Sequence, residues 1–265
     1  MEKYIVSNWK MQPQSLAEAQ EILERTDEYL STLDDRNEFA LIFCPPFIFL
    51  EEVGKFLETS HLSHQAFLGA EDIATEDSGA LTGEVSGPML QKLGVRYVIV
   101  GHSERRWKLG ESDEIVNKKL KAVLRNELVP IVCIGERTKD DNFKEFLKNQ
   151  VLATFAGLTP DDLGKCIIAY EPVWAISSNS GARPDTPESA LESIKIIKET
   201  IVGNWKLPAC PVGREIGNLP KALYGGSVTS KNVADFIGQK EIDGVMVGGA
   251  SVNKEEFVRI LSLIK

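Results

Sequence analysis

Along the chain, short apolar runs rich in β-branched residues alternate with longer stretches in which apolar positions recur every three to four residues. The runs at Tyr4 to Trp9, Glu38 to Cys44, Gln65 to Gly69, Tyr97 to Val100, Val129 to Ile134, Cys166 to Glu171, Ala222 to Tyr224 and Gly244 to Val247 predict strands. The periodic stretches near 15–32, 47–58, 86–93, 112–127, 142–155, 187–201, 230–237 and 254–264 predict helices. Strict alternation of strand and helix is the signature of a parallel sheet with crossover helices. Eight such pairs in a chain of 265 residues fit a closed eight-stranded barrel more economically than an open doubly wound sheet. The expected architecture is α/β, one closed (β/α)8 domain over residues 1–265.

Local signals sharpen several boundaries. Ser15 with Glu18 three residues on reads as a capping box, and Thr186-Pro187 puts a cap before a proline at the first helical position. No Gly-x-Gly-x-x-Gly follows the first strand, which argues against dinucleotide binding. Gly203 to Pro220, with several prolines and glycines, is too long for a helix-to-strand turn and reads as a surface insertion. Its Asn204-Trp205-Lys206 repeats the letters of Asn8-Trp9-Lys10 but follows a helix, so no catalytic role is expected.

Composition narrows the partners. Thirty basic against thirty-nine acidic residues give a formal charge of −9 with no basic block, which disfavours nucleic acid and anionic membrane. No apolar run has the length of a membrane helix, and the start reads as a strand, so a cytoplasmic protein is expected. Cys44, Cys133, Cys166 and Cys210 are widely spaced without a C-x-x-C, and read as reduced thiols, not as a disulfide or a metal site.

In a closed parallel barrel the site lies at the carboxyl ends of the strands, so the residues following each strand are the test. Asn8-Trp9-Lys10 follow the first, Gly101-His102-Ser103-Glu104-Arg105-Arg106 the fourth, Gly225-Gly226-Ser227 the seventh and Gly248-Gly249-Ala250-Ser251 the eighth. Glu171 ends the sixth, where Pro172 breaks the ladder and holds the preceding residue extended. Each residue alone has a plain reading: a turn glycine, a solvated lysine, a structural histidine, a surface acid. At one mouth they make a coherent set. Two glycine turns suit a phosphate, Lys10 supplies positive charge, and a carboxylate facing an imidazole suits proton abstraction beside a carbonyl.

These residues resemble the triosephosphate isomerase family over nearly the full chain. The resemblance rests on Asn8-Trp9-Lys10-Met11, Ser78-Gly79-Ala80 with Thr82-Gly83-Glu84, Tyr97 to Arg106, Cys133-Ile134-Gly135-Glu136, Ala169 to Ile176, Tyr224 to Val228 and Val247 to Ser251, all in family order. It implies a TIM barrel interconverting dihydroxyacetone phosphate and D-glyceraldehyde 3-phosphate, in glycolysis and gluconeogenesis, without metal or organic cofactor. Carried over by match, Glu171 is the base and His102 the neutral electrophile, the pattern long assigned in this family. Asn8 and Lys10 polarise the substrate, and Glu104 pairs with the lysine. Ser177, Ser227, Gly248 and Gly249 hold the phosphate; Pro172, Val173, Trp174 and Ile176 belong to a lid at 172–186, with Ile176 and Met246 pressing on the glutamate. Glu71, Asp72 and Thr82 match the loop by which family subunits form a homodimer.

The chain departs from the family in four places. After Ile176 it reads Ser177 to Thr186, about three residues longer than the usual lid, with Ser177 where a glycine is common and Pro184 near the second hinge. Met246 replaces a leucine, and Glu71-Asp72 replace Gln-Asn at the subunit contact, where two acids buried unpaired would be costly. The fourth is the 203–220 insertion. Two alternatives stand beside the main expectation: an isomerase of the same family acting on a four-carbon ketose phosphate, and a catalytically silent phosphosugar-binding barrel.

Overall fold

The computed structural model describes residues 3–33, 39–206 and 219–264, with side chains throughout except at 63 and 64. Eight strands close in sequence order into one barrel, every neighbouring pair parallel. They are β1 (Lys3–Asn8), β2 (Phe39–Cys44), β3 (Ala66–Ala70), β4 (Tyr97–Val100), β5 (Val129–Ile134), β6 (Ile167–Tyr170), β7 (Lys221–Tyr224) and β8 (Gly244–Val247). The helices among the described residues are α1 (Leu16–Leu30), α2 (Leu50–Thr59), α3 (Gly87–Lys92), α4 (Ser103–Lys108), α5 (Asp113–Arg125), α6 (Phe143–Thr154), α7 (Pro160–Gly164), α8 (Pro187–Trp205), α9 (Val233–Ile237) and α10 (Lys254–Ser262).

The strands carry apolar residues on both faces because each face has its own core. Val6, Ile42, Cys44, Tyr97, Ile99, Ile131, Cys133, Ile167, Ala169, Leu223 and Met246 pack together inside the barrel. Their neighbours Ile5, Leu41, Phe43, Val98, Val100, Val132, Ile168, Tyr170, Tyr224, Val245 and Val247 join the layer under the helices. The period of two has a direct consequence for chemistry. Counting on from Val6, Ala169, Leu223 and Met246, the inward face at the carboxyl ends falls to Asn8, Glu171, Gly225 and Gly248.

Two short helices and one boundary differ from the sequence expectations. α4 begins where a loop is expected after β4: Gly101 at φ +68° turns the chain, and the buried Arg106 straps the turn by donating to Gly101 O (2.7 Å) and Cys133 O (3.2 Å). α7 opens with a reciprocal capping box, Thr159 with Asp162. At α1 only half of the expected box forms: Ser15 Oγ accepts from the Glu18 N–H, while the Glu18 carboxylate reaches past Ser15 to the Gln14 N–H (3.0 Å). Thr186 caps α8 as expected, with Pro187 at its first position.

α8 also runs on through Gly203 to Trp205, so the irregular stretch starts later than expected. Trp205 holds this end, its indole donating to Leu158 O (2.8 Å) and packing edge-on against Phe155. Residues 207–218, which hold most of the expected insertion and Cys210, lie outside the described residues, as does Glu38. Cys44, Cys133 and Cys166 are buried free thiols. No helix among the described residues is long and apolar enough to cross a membrane.

Candidate active site

A cavity of about 670 Å³ opens at the carboxyl ends of the strands. It is lined by Asn8, Lys10, Glu71, His102, Glu104, Glu171, Ile176, Ser177, Ser227, Met246, Gly248 and Gly249, among others. Strand ends from β1, β4, β6, β7 and β8 therefore do converge, those of β1, β6, β7 and β8 as the period of two requires and that of β4 through the turn at Gly101.

Glu171 sits one residue past β6, its N–H still bonded to Ile134 O (2.8 Å), and is 2% exposed. A side chain at Gly135 would collide with its carbonyl, at 1.8 Å, so only glycine lets β5 pass. One carboxylate oxygen meets His102 Nε2 at 2.9 Å, and the other accepts from the Ser103 N–H at 2.8 Å. Burial pushes the Glu171 carboxyl up, but the His102 contact, the Ser103 N–H and the Lys10 charge outweigh it and hold the group below the usual carboxylate range. The acid is thus stored ionised in a dry place, which is what a base at neutral pH needs.

His102 is the N-cap of α4. Its Nδ1 accepts from the Glu104 N–H at 3.2 Å. A ring nitrogen that accepts carries no proton, so the proton lies on Nε2 and the imidazole is neutral, with its N–H aimed at Glu171. On the other side of the cavity Lys10, in a left-handed turn at φ +58°, extends its ammonium to Glu104 Oε1 at 3.1 Å. Asn8 supports that turn by accepting from the Lys10 N–H through Oδ1 (3.2 Å). Burial raises the Glu104 carboxyl, yet the Lys10 ammonium beside it outweighs burial and holds it below its ordinary value.

The glycine turns lie beside Lys10. A Cβ on Gly248 would stand 3.3 Å from Lys10 Cε, and the chain then tightens into a 3-10 turn over Gly249–Val252. The Ser177 N–H donates to Ser227 Oγ at 2.7 Å, and that hydroxyl donates to Ala175 O at 2.8 Å. Ser177, an exposed residue, thus sits beside the Gly225-Gly226 turn. Ile176 and Met246 are both buried at the cavity wall. Met246 Cε and Glu171 Cγ would lie 3.2 and 3.1 Å from a Cβ on Gly225, so both lean on the same bare backbone.

The expected subunit contacts split. Glu71 lines the cavity, whereas Asp72 turns away to Lys119 (2.6 and 2.7 Å) and Arg105 (2.7 Å), so within this chain it is buried but paired. Glu71 Oε1 is buried with no partner, and burial pushes its carboxyl up to about 8. Thr82 lies outside the cavity, exposed on a loop whose neck is closed by the Ala74 N–H bonding Val85 O (2.8 Å).

Two functional groups escape the reading of strand ends. The Ser103 donor is a backbone N–H, which residue type does not announce. Glu136, past the end of β5, takes the Trp174 indole N–H (2.9 Å) and the Tyr170 hydroxyl (2.8 Å) on one oxygen. Applying the strand-end test to β5 would have found it.

The family model described as triosephosphate isomerase matches residues 3–264. This chain belongs to the triosephosphate isomerase family. It is 41% identical to the triosephosphate isomerase of Carboxydothermus hydrogenoformans, with 97% of each chain covered. It is 38% identical to that of Roseiflexus sp. (strain RS-1), over 98% of this chain and 96% of the relative. It is 37% identical to that of Thermoanaerobacter sp. (strain X514), over 97% and 98%. Family membership extends over β1 to β8, so the converging strand ends belong to one matched unit.

Proposed function

We propose that the chain is a triosephosphate isomerase in which Glu171 moves a proton between the two carbons that exchange carbonyl and hydroxyl. The observation that carries this is the 2.9 Å contact between the Glu171 carboxylate and the Nε2–H of a neutral His102, 2% and 5% exposed, facing the Lys10–Glu104 pair across one cavity. The residue roles follow the family pattern by match. Substrate entering between the two groups takes the His102 N–H onto its oxygen and frees the carboxylate. Glu171 then removes the proton from the carbon beside the carbonyl, giving an enediolate. His102 and Lys10 stabilise the developing charge on oxygen, and Asn8 holds the turn that presents Lys10. Return of the proton to the neighbouring carbon completes the exchange. The amides of Ser177, Ser227, Gly248 and Gly249 hold the phosphate, and Pro172 to Thr186 close over it with Ile176 and Met246 desolvating the base.

The same reading makes the working form a homodimer. Met11 (88% exposed), Ile48 (81%), Met89 and Leu81 are large apolar side chains left in solvent on the loops after β1, β2 and β3 and on α3, and β1, β2 and β3 are neighbours. A second copy covering these loops, with Glu71 and Thr82 at the contact, removes that surface from water. A cytoplasmic location belongs to the same reading.

The test is a steady-state assay with three- and four-carbon ketose phosphates across a dilution series, for the parent chain and Glu171→Gln. The parent is expected to turn over the triose preferentially, with activity falling on dilution as dimers separate, while Glu171→Gln keeps its fold and loses nearly all turnover. Full activity in Glu171→Gln sinks the mechanism; preference for the four-carbon substrate transfers it to the alternative isomerase.

A further inference from the structure

Residues 173 to 183 are longer than the family's usual lid, yet they carry no slack. The loop is closed at its neck, where the Arg183 N–H donates to Trp174 O at 3.2 Å and the Arg183 guanidinium lies 5.1 Å from the centre of the Trp174 ring. Inside the loop the Asn179 side-chain amide donates to Val173 O (2.9 Å) and its backbone N–H to Ile176 O (2.9 Å). The added length is taken up between these anchors, where the Ala182 N–H bonds Asn179 O (3.2 Å) and Gly181 turns at φ +76°. In this position of the loop the Trp174 indole donates to Glu136 at the end of β5 (2.9 Å) and the Val173 N–H to Glu136 O (3.0 Å), two bonds that a swing of the loop has to break. Arg183 thus reaches the β5 end through one indole ring.

We propose that Arg183 and Asn179 are positioning residues that fold the tip of this loop onto its own first hinge, so that 173 to 183 move as one rigid body. This rests on the reading of 172 to 186 as a lid. The physical gain is entropic: a loop whose internal contacts are already made does not have to order its residues at each closure. Motion is then confined to the ends, at Pro172 and Pro184, and the Ser177 amide and the Ile176 side chain arrive together. A loosened tip leaves the enediolate open to water. There the oxyanion re-forms a carbonyl, the carbon–carbon double bond shifts one carbon along, and the ester C–O bond breaks, phosphate leaving with the electron pair. Phosphate released per isomerisation therefore reports lid integrity separately from stability.

The experiment measures isomerisation of glyceraldehyde 3-phosphate and released inorganic phosphate in the parent, Arg183→Ala, Arg183→Lys, Asn179→Ala, the Asn179→Ala/Arg183→Ala double variant, and a variant lacking residues 178–181. Expected for each alanine variant are a kcat lower by about tenfold, a KM within about twofold, phosphate per turnover higher by about tenfold, and an unchanged urea midpoint. The double variant should be no worse than the poorer single, because the two residues act as a unit. Arg183→Lys should recover part of the loss, keeping the charge over the ring but not the planar stack. Parent-like kcat and phosphate in the alanine variants overturn the proposal, as does a kcat that falls only with the urea midpoint. The shortened variant separates the two ideas. If it releases extra phosphate while Arg183→Ala does not, the lid stands and the staple falls; if it releases none, the lid reading itself fails.

Discussion

Two carboxylates, one buried and one half-buried, share the mouth of this barrel, and they have opposite fates. Glu171 has both oxygens occupied, by His102 and the Ser103 N–H, and stays ionised although it is 2% exposed. Glu71, on the loop after β3, has one oxygen buried without a partner and holds its proton up to about pH 8. Burial acts on both in the same direction; what differs is the supply of donors. Glu171 is charged because α4 starts where it does, presenting an imidazole and an N–H at one corner, whereas at Glu71 the Lys10 N–H and the Lys10 and Arg105 charges do not offset burial and Oε1 has no partner among the described residues.

The largest effect should come from moving the satisfied carboxylate while keeping its charge. Glu171→Asp withdraws the carboxylate by a methylene, and kcat is expected to fall on the order of a hundredfold with KM little changed, because proton transfer is sensitive to misplacement of about 1 Å. A kcat within threefold of the parent would show that activity does not depend on the carboxylate position set by His102 and Ser103.

Next comes the unsatisfied carboxylate. Glu71 binds its proton more tightly folded, at about 8, than its ordinary 4.5, so the folded state retains a proton that the unfolded chain gives up between those values. The fold therefore loses stability as pH rises from about 4.5 to 8, and the penalty is complete above that. Glu71→Gln should remove it, stabilising by about 1–3 kcal/mol at pH 8.5 and by little at pH 4.5, read from urea midpoints at both values. Subunit association in the parent should likewise tighten toward mildly acidic pH. A gain independent of pH would show that packing, not the proton, is responsible.

Asp72 is the smaller counterpart, a neighbouring acid that is paired. Asp72→Asn removes charge opposite Lys119, which keeps Glu111 at 2.6 Å, so a loss of about 1 kcal/mol at neutral pH is expected from the same denaturation curves. A gain would mean that the cluster carries one acid too many. Met246→Leu should be smaller still, under about 1 kcal/mol with kcat unchanged, because the swap nearly conserves volume beside Glu171.

Much of this was legible in the letters, and the limits have physical reasons. Strand boundaries at Tyr97–Val100, Val129–Ile134 and Gly244–Val247 fall where the apolar runs put them, because a strand buried on both faces leaves little choice of residue. α4 was not legible: six residues carry no periodicity, and the helix exists because Gly101 turns the chain and Arg106 fastens it to Cys133 O. The added length after Ile176 was visible as a departure, but Asn179 and Arg183 look like ordinary loop polars until the neck at Trp174 is seen. Glu71 and Asp72 show the same limit. Adjacent acids in sequence, they face opposite ways, one to the cavity with one oxygen unpartnered and one to two cations.

The sequence by itself determined the alternation of strand and helix, the period of two that sends Asn8, Glu171, Gly225 and Gly248 inward, and the identity of the groups at the strand ends. Those follow from local sterics and from which side chains water rejects. The tertiary structure alone decided which carboxylate is charged, which nitrogen of His102 bears the proton, and how the loop after Ile176 is held together. Each of those depends on donors brought from segments remote in the chain, and a hydrogen bond of 2.8 Å is made or missed by the packing of whole elements.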